Sequence, residues 1–418
     1  MYQLSINKMR IDFKSGVRET LFRRAEGKCS VPRCKRPTMG PFPENEGAVN
    51  MGVACHIYSA AQNGPRGRGD KNEDFISSEK NGIWCCQYHA SLIDKRKGDG
   101  YTAETLFSWK ALNEARTKKK MNDIPSPLGW VESIEVTRFP IPRISPALEL
   151  SRWTLFTGRN DVGKTALLEF AASVSNAKYS ERFTGNNESK FEAKIQYSTV
   201  DDFDKKVELK ILDGYLSRYE NGNLCLLPPG DLEVIYADDK DLKYSDDEDH
   251  IDFMKRVLNV DHAALMSLCR IGTKTLKAGE IKFQQGTIED EYDEGECHPR
   301  LKKDLEPFIE LMFKKNGSDE FLSFDVLARS EKAKLILDLQ ITKARETAKQ
   351  RLTLLLVEYY CANFDKGSFK ELLEAIKGED FQAVVSIPYN LASELISEDR
   401  TSLQDKDYLA SWQLRYVS

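Results

Sequence analysis

The sequence predicts a multidomain protein in which an α+β part is followed by an α/β part, and three observations lead to this prediction. Two pairs of metal-ligating side chains, Cys29 with Cys34 and Cys86 with His89, lie in the first hundred residues. A glycine-rich loop of the phosphate-binding kind, residues 158–165, follows an apolar strand-like segment. Beyond it, alternating strand-like segments give way to helices interleaved with short apolar runs, an order typical of α/β domains.

The length and composition are those of a soluble globular protein. A chain of 418 residues is long enough for two or three domains, and its 40% apolar and 30% charged residues are ordinary values. The sequence contains no apolar run long enough to span a membrane, and its polar start lacks the apolar core of a signal peptide. We therefore expect a cytoplasmic protein with no membrane partner, in which cysteines serve as thiols or metal ligands.

Charge is distributed unevenly along the chain. Residues 1–120 contain 22 Lys/Arg against 13 Asp/Glu, whereas the remaining residues contain 39 against 53. Any polyanion such as DNA would therefore bind to the N-terminal part, and its binding would be sensitive to salt. On charge alone, an ordinary solvated basic surface explains the asymmetry equally well.

A linker is predicted at residues 116–130, because this stretch combines lysines with X-Pro steps that disfavour helix. It separates a first domain, residues 1–115, from a second domain, residues 131–418. Residues 240–322 are acidic and mainly helical in pattern, and we interpret them as a helical insertion into the second domain.

The second domain begins with strands and continues with a βαβ-like order. An antiparallel meander is predicted over residues 190–237, with turns at Asp213-Gly214 and Asn221-Gly222. The other predicted elements are strands at 132–136, 153–157, 353–357 and 381–386 and helices at 331–347 and 367–377.

Four side chains near the N-terminus have the spacing of a structural zinc site. Cys29 and Cys34 lie on a proline-containing turn, and Cys86 and His89 form a Cys-x-x-His pair. Three thiolates and one imidazole are a ligand set that tetrahedral zinc accepts. The alternative is a set of buried thiols with this spacing by chance.

Three motifs lie between or next to these pairs, namely Ala54-Cys55-His56-Ile57, Gly64-Pro65-Arg66-Gly67-Arg68 and Asn81-Gly82-Ile83-Trp84. With the Cys/His pairs, they make residues 25–112 resemble the HNH endonuclease family, which has a ββα-metal core. The resemblance implies that His56 is the general base, that Asn81 fixes the local geometry and that Mg²⁺ stabilises the leaving oxygen. It also implies that Arg66 and Arg68 contact the phosphate backbone.

Two positions depart from the pattern of that family. An acidic residue usually precedes the first histidine and another histidine follows the second pair, but this sequence has Cys55 and Ala90 there. Neither a thiol nor a methyl group is a good ligand for Mg²⁺. Asp94, about one helical turn beyond Ala90, could supply the missing carboxylate, or it could be a solvated helix residue.

The glycine-rich loop predicts nucleotide binding. Its motif Gly-x-x-x-x-Gly-Lys-Thr runs from Gly158 through Asn160 to Gly163, Lys164 and Thr165, between a strand and a helix. In such a loop the backbone amides surround the phosphates of ATP, the lysine neutralises their charge, and the threonine ligates Mg²⁺.

The rest of the second domain resembles ABC-type ATPases of the chromosome-maintenance and repair branch, over residues 131–395. The segments that carry the resemblance are Leu327–Lys332 for the signature loop, Thr353–Glu358 for the Walker B strand, Asn363–Asp365 for the D-loop and Phe381–Pro388 for the switch strand. In this register Glu358 replaces the Walker B aspartate and Tyr359 the catalytic glutamate. If the register shifts by one residue, Glu358 becomes the catalytic carboxylate and Val357 takes the Walker B position.

In either register a residue needed for fast turnover is missing. We therefore expect tight ATP binding with weak hydrolysis, in which the nucleotide promotes assembly of a homodimer or pairing with a second ATPase protein. The combination of an HNH-like and an ABC-like part resembles bacterial anti-phage systems such as the Septu nuclease and ATPase pair. The leading hypothesis is thus a nucleotide-regulated DNA endonuclease in defence. Alternatives are a catalytically silent zinc adaptor that binds ATP, or a repair-type ATPase with a zinc DNA-binding head.

Overall fold

The computed structural model describes residues 10–34, 36–42, 47–122, 129–138, 147–158, 162–185, 190–238, 242, 244–245, 247–289, 297–358, 364–404 and 407–417. Its helices are α1 Val17–Arg24, α2 Glu73–Ile76, α3 Gln87–Ile93, α4 Ala103–Asn122, α5 Lys164–Ala172, α6 Glu181–Thr184, α7 His250–Leu258, α8 His262–Ile271, α9 Arg329–Ala348, α10 Lys366–Ile376 and α11 Tyr389–Leu395. Its strands are β1 Met39–Pro41, β2 Ala48–Asn50, β3 Gly52–His56, β4 Gly82–Cys86, β5 Gly129–Arg138, β6 Leu148–Glu149, β7 Trp153–Gly158, β8 Phe191–Thr199, β9 Lys205–Leu212, β10 Tyr215–Glu220, β11 Asn223–Cys225, β12 Leu232–Ala237, β13 Gly279–Gln285, β14 Thr287–Glu289, β15 Cys297–Pro299, β16 Ile309–Lys315, β17 Leu322–Ser323, β18 Leu352–Val357, β19 Gln382–Ser386 and β20 Gln413–Val417.

The chain forms two compact units. The first consists of Met1–Glu233, Gln350–Leu352 and Thr401–Ser418, and the second of Val234–Lys349 and Thr353–Arg400. No described helix is both long and apolar enough to cross a membrane.

A ββα arrangement occupies the N-terminal part of the first unit. Strands β3 and β4 pair antiparallel, with His56 opposite Gly82, and α3 begins directly after β4. Helix α1 packs so closely on this hairpin that a Cβ atom on Gly82 would lie 2.3 Å from Cδ1 of Leu21. The core beneath it contains fully buried apolar side chains, namely Ile57, Ile83, Ile93 and Leu106.

Helix α4 is longer than the sequence predicts. It runs to Asn122, so the first part of the linker predicted at residues 116–130 is wrong, and β5 starts at Gly129. The reason is a tertiary contact, because the buried guanidinium of Arg116 donates from Nη2 to the carbonyl oxygen of Thr199 at 2.8 Å. Because Arg116 is buried and hydrogen-bonded, the helix continues through this residue into the lysine-rich segment that follows it.

The meander predicted over residues 190–237 is confirmed from β8 to β11, but its last part is wrong, because β12 belongs to a different sheet, next to β18. Six strands form one antiparallel sheet in the order β11-β10-β9-β8-β5-β6. Both predicted turns have two successive residues with positive φ, 51° and 79° at Asp213-Gly214 and 50° and 86° at Asn221-Gly222. These are the dihedral angles that a two-residue hairpin loop requires, and Asp, Asn and Gly adopt them most easily.

The short apolar strands are parallel, as an α/β order requires. In the first unit, β7 pairs parallel with β20. In the second, β12, β18 and β19 lie side by side in that order, and β18 and β19 are parallel. The predicted strands at 153–157, 353–357 and 381–386 and the helices at 331–347 and 367–377 are therefore confirmed.

The acidic segment 240–322 is only half helical, so its prediction as a helical insertion is partly wrong. Helices α7 and α8 lie in its first half, but β13 and β16 form an antiparallel pair in its second half. In this pair Ile281 faces Phe313 and Phe283 faces Leu311. Apolar residues at every second position favour a strand with one buried face, although the surrounding charged residues make this period hard to recognise.

Candidate functional site

The four predicted zinc ligands come together in the first unit. One ligand atom from each of Cys29, Cys34, Cys86 and His89 lies within 4.8 Å of all the others. Nδ1 of His89 is 3.2 Å from Sγ of Cys86 and 3.5 Å from Sγ of Cys29. Ligands about 2.3 Å from a tetrahedral zinc ion lie about 3.8 Å apart, so this donor set fits zinc. Four protein ligands leave no open position, which is typical of a structural rather than a catalytic site.

A fifth sulfur lies beside this cluster but is not part of the ligand set. The thiol of Cys85 is fully buried and forms hydrogen bonds with Cys29 and Cys55. These contacts and burial raise the pKa of the Cys85 thiol well above its usual value. A thiol that stays protonated is a poor metal ligand. Sequence spacing alone could not distinguish Cys85 from its neighbour Cys86.

His56 lies at the end of β3 and has an unusual environment. Its ring stacks on Phe13, with ring centroids 3.7 Å apart and planes within 5° of parallel. Its Nε2 atom is buried and has no hydrogen-bond partner among the described residues. Burial, reinforced by the positive charge of Arg10, lowers the pKa of His56 to about 4. The imidazole is therefore neutral at physiological pH and can accept a proton.

Asn81 fixes the chain directly after His56. Its side chain is fully buried, accepts a hydrogen bond from the backbone N–H of Tyr58 at 2.8 Å and donates to the carbonyl oxygen of Tyr58 at 2.9 Å. It also donates to the carbonyl oxygen of Ile76 at 3.2 Å. An amide that pairs with both backbone groups of one residue holds that residue as a strand partner would. Asn81 can thus fix the geometry at the end of β3.

A cavity of about 510 Å³ contains both His56 and Asp94 in its lining. Ala90 and Cys55, the two positions that depart from the family pattern, also line it. Asp94 is the residue that follows the last turn of α3, and its carboxylate is exposed. A neutral imidazole and a carboxylate on one cavity can supply a general base and a ligand for a hard divalent cation.

The guanidinium of Arg66 is committed to the protein itself. It donates to the carbonyl oxygens of Ile57 and Ile93, both at 2.7 Å, to that of His56 at 3.3 Å, and to Oδ1 of Asp94 at 2.7 Å. Only 6% of the side chain is exposed.

The expectation that Arg66 contacts a phosphate backbone is therefore wrong, because its donors are already used inside the fold. The structure makes Arg66 a brace between the end of β3 and the end of α3. Arg68 is half-buried and donates to the carbonyl oxygen of Ala60 at 3.2 Å. Its proposed phosphate contact stays a prediction.

The glycine-rich loop begins at the end of β7 and ends at the start of α5. A Cβ atom on Gly158 would lie 2.3 Å from the carbonyl oxygen of Val417 on β20, so only glycine fits there without movement of the backbone. Gly163 has a φ of 86°, which favours glycine, and precedes the first residue of α5. Nζ of Lys164 donates to the carbonyl oxygen of Gly158 at 3.0 Å. Asn160 lies outside the described residues.

Lys164 and Thr165 are thus the first two residues of a helix, where free amides attract phosphate.

Glu358 belongs to the second unit and follows β18. Its carboxylate is buried, and Oε2 accepts a hydrogen bond of 2.5 Å from the hydroxyl of Tyr236 on β12. The backbone N–H of Glu358 donates to the carbonyl oxygen of Ala237 at 2.9 Å. Tyr359 and Asn363 lie outside the described residues. Asp365, from the proposed D-loop, caps α10 by accepting from the backbone N–H of Ser368 at 2.7 Å.

The segment in the place of the signature loop starts α9. Glu331 accepts a hydrogen bond from the backbone N–H of Ala328 at 3.2 Å and forms an ion pair with Lys277. A carboxylate in the first turn of a helix is stabilised by the helix dipole. Glu331 therefore serves here to start the helix.

No protein-family model and no curated protein matches this chain. Among solved structures it is similar to the recombination mediator protein RecF with ATP, at 13% identity and a TM-score of 0.43, over 63% of this chain and 94% of that chain. It is also similar to the SmcHead bound to the C-winged helix domain of ScpA, at 16% identity and a TM-score of 0.41, over 63% and 90% of the two chains. The SMC head domain from Thermotoga maritima gives 15% identity, a TM-score of 0.35 and coverage of 63% and 91%. At such identities and TM-scores these similarities carry no argument about function.

Proposed function

We propose that this chain is a P-loop protein that binds ATP and carries a zinc-braced head that binds DNA. The head is the first domain, residues 1–115. The observation that supports ATP binding is the loop itself. Gly158 is required by the close approach of Val417, Gly163 by its positive φ, and Lys164 is held next to the loop backbone. Zinc held by Cys29, Cys34, Cys86 and His89 would stabilise the fold of the head.

The distribution of charge supports the assignment of DNA to the N-terminal part. Residues 1–120 carry nine more basic than acidic side chains, while the whole chain has a net charge of −5. Because the head carries a net positive charge and the rest of the protein a net negative charge, a polyanion is attracted to the head. Binding of this kind weakens steeply as salt is added.

Slow hydrolysis of ATP is also part of this proposal. By the resemblance to ABC-type ATPases, Tyr359 stands in the place of the catalytic glutamate, and its hydroxyl is too weak a base to activate water at neutral pH. If the register shifts by one residue, Val357 takes the Walker B position, so that a residue needed for fast turnover is missing in either case. We therefore expect the bound nucleotide to persist and to promote assembly, either of two copies of this chain or of this chain with a second ATPase.

Substitution of Lys164 tests the nucleotide site. Lys164→Ala is expected to weaken ATP binding in calorimetry by about a hundredfold or more, because the phosphate charge loses its cation. Lys349→Ala, a change of equal charge at an exposed lysine, is the control and should bind ATP as the original chain does. Equal affinity in both variants contradicts the proposal. Phosphate release and the mass of the complex, with and without ATP, test slow turnover and assembly.

A second candidate function is metal-assisted cleavage of DNA, which the cavity between His56 and Asp94 favours. Because Nε2 of His56 is shielded, Nδ1 is the nitrogen left to accept a proton from water. Asn81 would keep this ring at the cavity, and Asp94 would hold Mg²⁺, which supplies charge stabilisation when bound.

Nicking of supercoiled DNA with Mg²⁺ or Mn²⁺ tests this candidate. His56→Ala and Asp94→Asn are each expected to lower the rate at least a hundredfold. His262→Ala removes an exposed imidazole from α8 and is the control. Unchanged nicking by His56→Ala would remove His56 from the chemistry. A role in anti-phage defence stays a prediction, which phage plating on cells that express these variants would test.

A further inference from the structure

Three consecutive basic residues lie just after α3, and two of them, Arg96 and Lys97, have a backbone conformation that such residues rarely adopt. Lys95, Arg96 and Lys97 form a short 3-10 turn with Gly98. Arg96 has φ and ψ of 49° and 42°, and Lys97 has 58° and 26°. The left-handed region is unfavourable for a residue with a Cβ atom, and such strain is concentrated at functional sites.

The buried Arg66 holds this turn in place. Its backbone N–H donates to the carbonyl oxygen of Lys97 at 3.0 Å, and its guanidinium donates to the carbonyl oxygen of Ile93 just before the turn. Gly98, with a φ of 81°, packs directly against the side chain of Arg66, where a Cβ atom would lie 2.5 Å from Nη1. The strained conformation is thus fixed by contacts at both ends of the turn.

The three side chains differ from most basic residues nearby in having no acidic partner. All three are exposed, and none forms an ion pair with any of the described residues. Several other exposed basic residues of residues 10–122 are paired, as in Lys14–Asp74, Arg23–Glu19 and Lys120–Glu26. Exposed basic residues without an ion pair also occur singly, as at Arg18 and Lys80, but Lys95, Arg96 and Lys97 are consecutive. Of the two acids next to the turn, Asp94 is held by Arg66, and Asp99 forms no ion pair with the three basic side chains. Three adjacent cations that form no ion pair are suited to a row of phosphates.

The position of the turn connects it with the candidate cavity. Lys95 directly follows Asp94, which lines the cavity together with His56. Arg96 and Lys97 line a second cavity of about 660 Å³, and Arg66 lines both cavities. We propose that Lys95, Arg96 and Lys97 form a cationic rim that binds the phosphate backbone of duplex DNA next to this cavity. This inference rests on the proposed DNA binding by the head, and it assigns to the exposed turn the contact that Arg66 cannot make.

Binding of the full chain to a fluorescent 20-base-pair duplex, measured by anisotropy over a series of KCl concentrations, tests the rim. The triple variant Lys95→Gln, Arg96→Gln and Lys97→Gln loses three charges. The slope of log K against log salt should become shallower by about two to three, because each phosphate contact contributes about 0.9. Affinity at about 0.1 M salt should fall between tenfold and a thousandfold.

A matched control removes the same charge elsewhere. Lys303→Gln, Lys349→Gln and Lys366→Gln together change three exposed lysines of the second unit and should leave the slope unchanged. Equal slopes in the rim and control variants overturn the rim while leaving DNA binding intact. Absence of binding by the original chain overturns the proposed DNA binding, and the rim with it.

Discussion

Arg66 and Asp94 form an ion pair whose two members differ sharply in exposure. Nη2 of Arg66 lies 2.7 Å from Oδ1 of Asp94, and 6% of the arginine side chain is exposed against 46% of the aspartate side chain. The guanidinium thus orients a carboxylate at the cavity of His56 from inside the fold. An exposed pair of this kind would contribute little, but here the arginine also bonds three backbone carbonyls.

Substitution of Arg66 by lysine should therefore destabilise the head although the charge is kept. An ammonium group cannot reproduce the planar set of donors, so the carbonyls of Ile57 and Ile93 lose buried partners. We expect the free energy of unfolding to fall by about 2–4 kcal/mol in urea titrations followed by tryptophan fluorescence. Arg23→Lys, at an exposed pair with Glu19, is the control and should change it by less than about 0.5 kcal/mol. Equal effects of the two substitutions would contradict the bracing role.

Zinc should be present at one ion per chain. Cys34→Ser removes a ligand, and we expect it to abolish zinc in elemental analysis and to unfold the head, because binding of structural zinc is coupled to folding. Cys225→Ser changes a thiol in the meander and serves as the control, with full zinc content. A Cys34→Ser protein that keeps its zinc would refute the assigned ligand set.

The features that sequence reasoning predicted well are those with a local physical cause. The turns at Asp213-Gly214 and Asn221-Gly222 follow from residues that accept positive φ, and the spacing of Cys86 and His89 follows from one turn of helix after a strand. Glycine positions of the phosphate-binding loop belong to the same class. Each of these signals lies within a few residues of the structure that it determines.

Two of the predictions that failed depend on partners far along the chain. The resemblance to the HNH family implies that Arg66 contacts the phosphate backbone, but the guanidinium is held by Asp94, which lies 28 residues away. The helix past Arg116 depends on Thr199, which is 83 residues away. The strand pair β13 and β16 was obscured because charged residues surround Ile281 and Phe313. In that case a local signal existed, namely apolar residues at every second position.

Asp338 provides a stability test in the second unit. This fully buried carboxylate accepts hydrogen bonds from the backbone N–H groups of Thr275 at 2.9 Å and Lys277 at 3.0 Å, and from the hydroxyl of Thr275 at 2.8 Å. Asp338→Ala leaves these donors without an acceptor, so we expect the free energy of unfolding to fall by about 3–5 kcal/mol.

Asp338→Asn keeps one acceptor oxygen and should have a smaller effect in the same denaturant titration. The control is Asp319→Ala, at an exposed residue, where the change should be within about 0.5 kcal/mol. If Asp338→Ala is as stable as this control, the carboxylate of Asp338 does not hold the segment of Thr275 and Lys277 in place.

The titration of His56 tests the environment of the cavity without any assay of activity. Burial disfavours the charged ring and lowers the pKa of His56 to about 4, whereas an exposed histidine titrates near 6.5. The neutral ring, which is the form that can accept a proton, therefore persists down to about pH 5. If His56 is the base in DNA cleavage, the rate should stay constant from pH 8 to about pH 5 and fall about tenfold per pH unit below pH 4.

NMR of the chain labelled at its five histidines gives the pKa directly. Phe13→Ala removes the ring that stacks on His56 and should admit water to the imidazole. The pKa of His56 is therefore expected to rise toward 6.5. If His56 is the base in DNA cleavage, the pH at which the rate begins to fall should rise with this pKa. Phe22→Ala is the matched control, since Phe22 packs on Trp84 in the small core that also contains Phe13. A value near 6.5 in the original chain would mean that the ring is open to water, and the shielding by Phe13 would then be wrong.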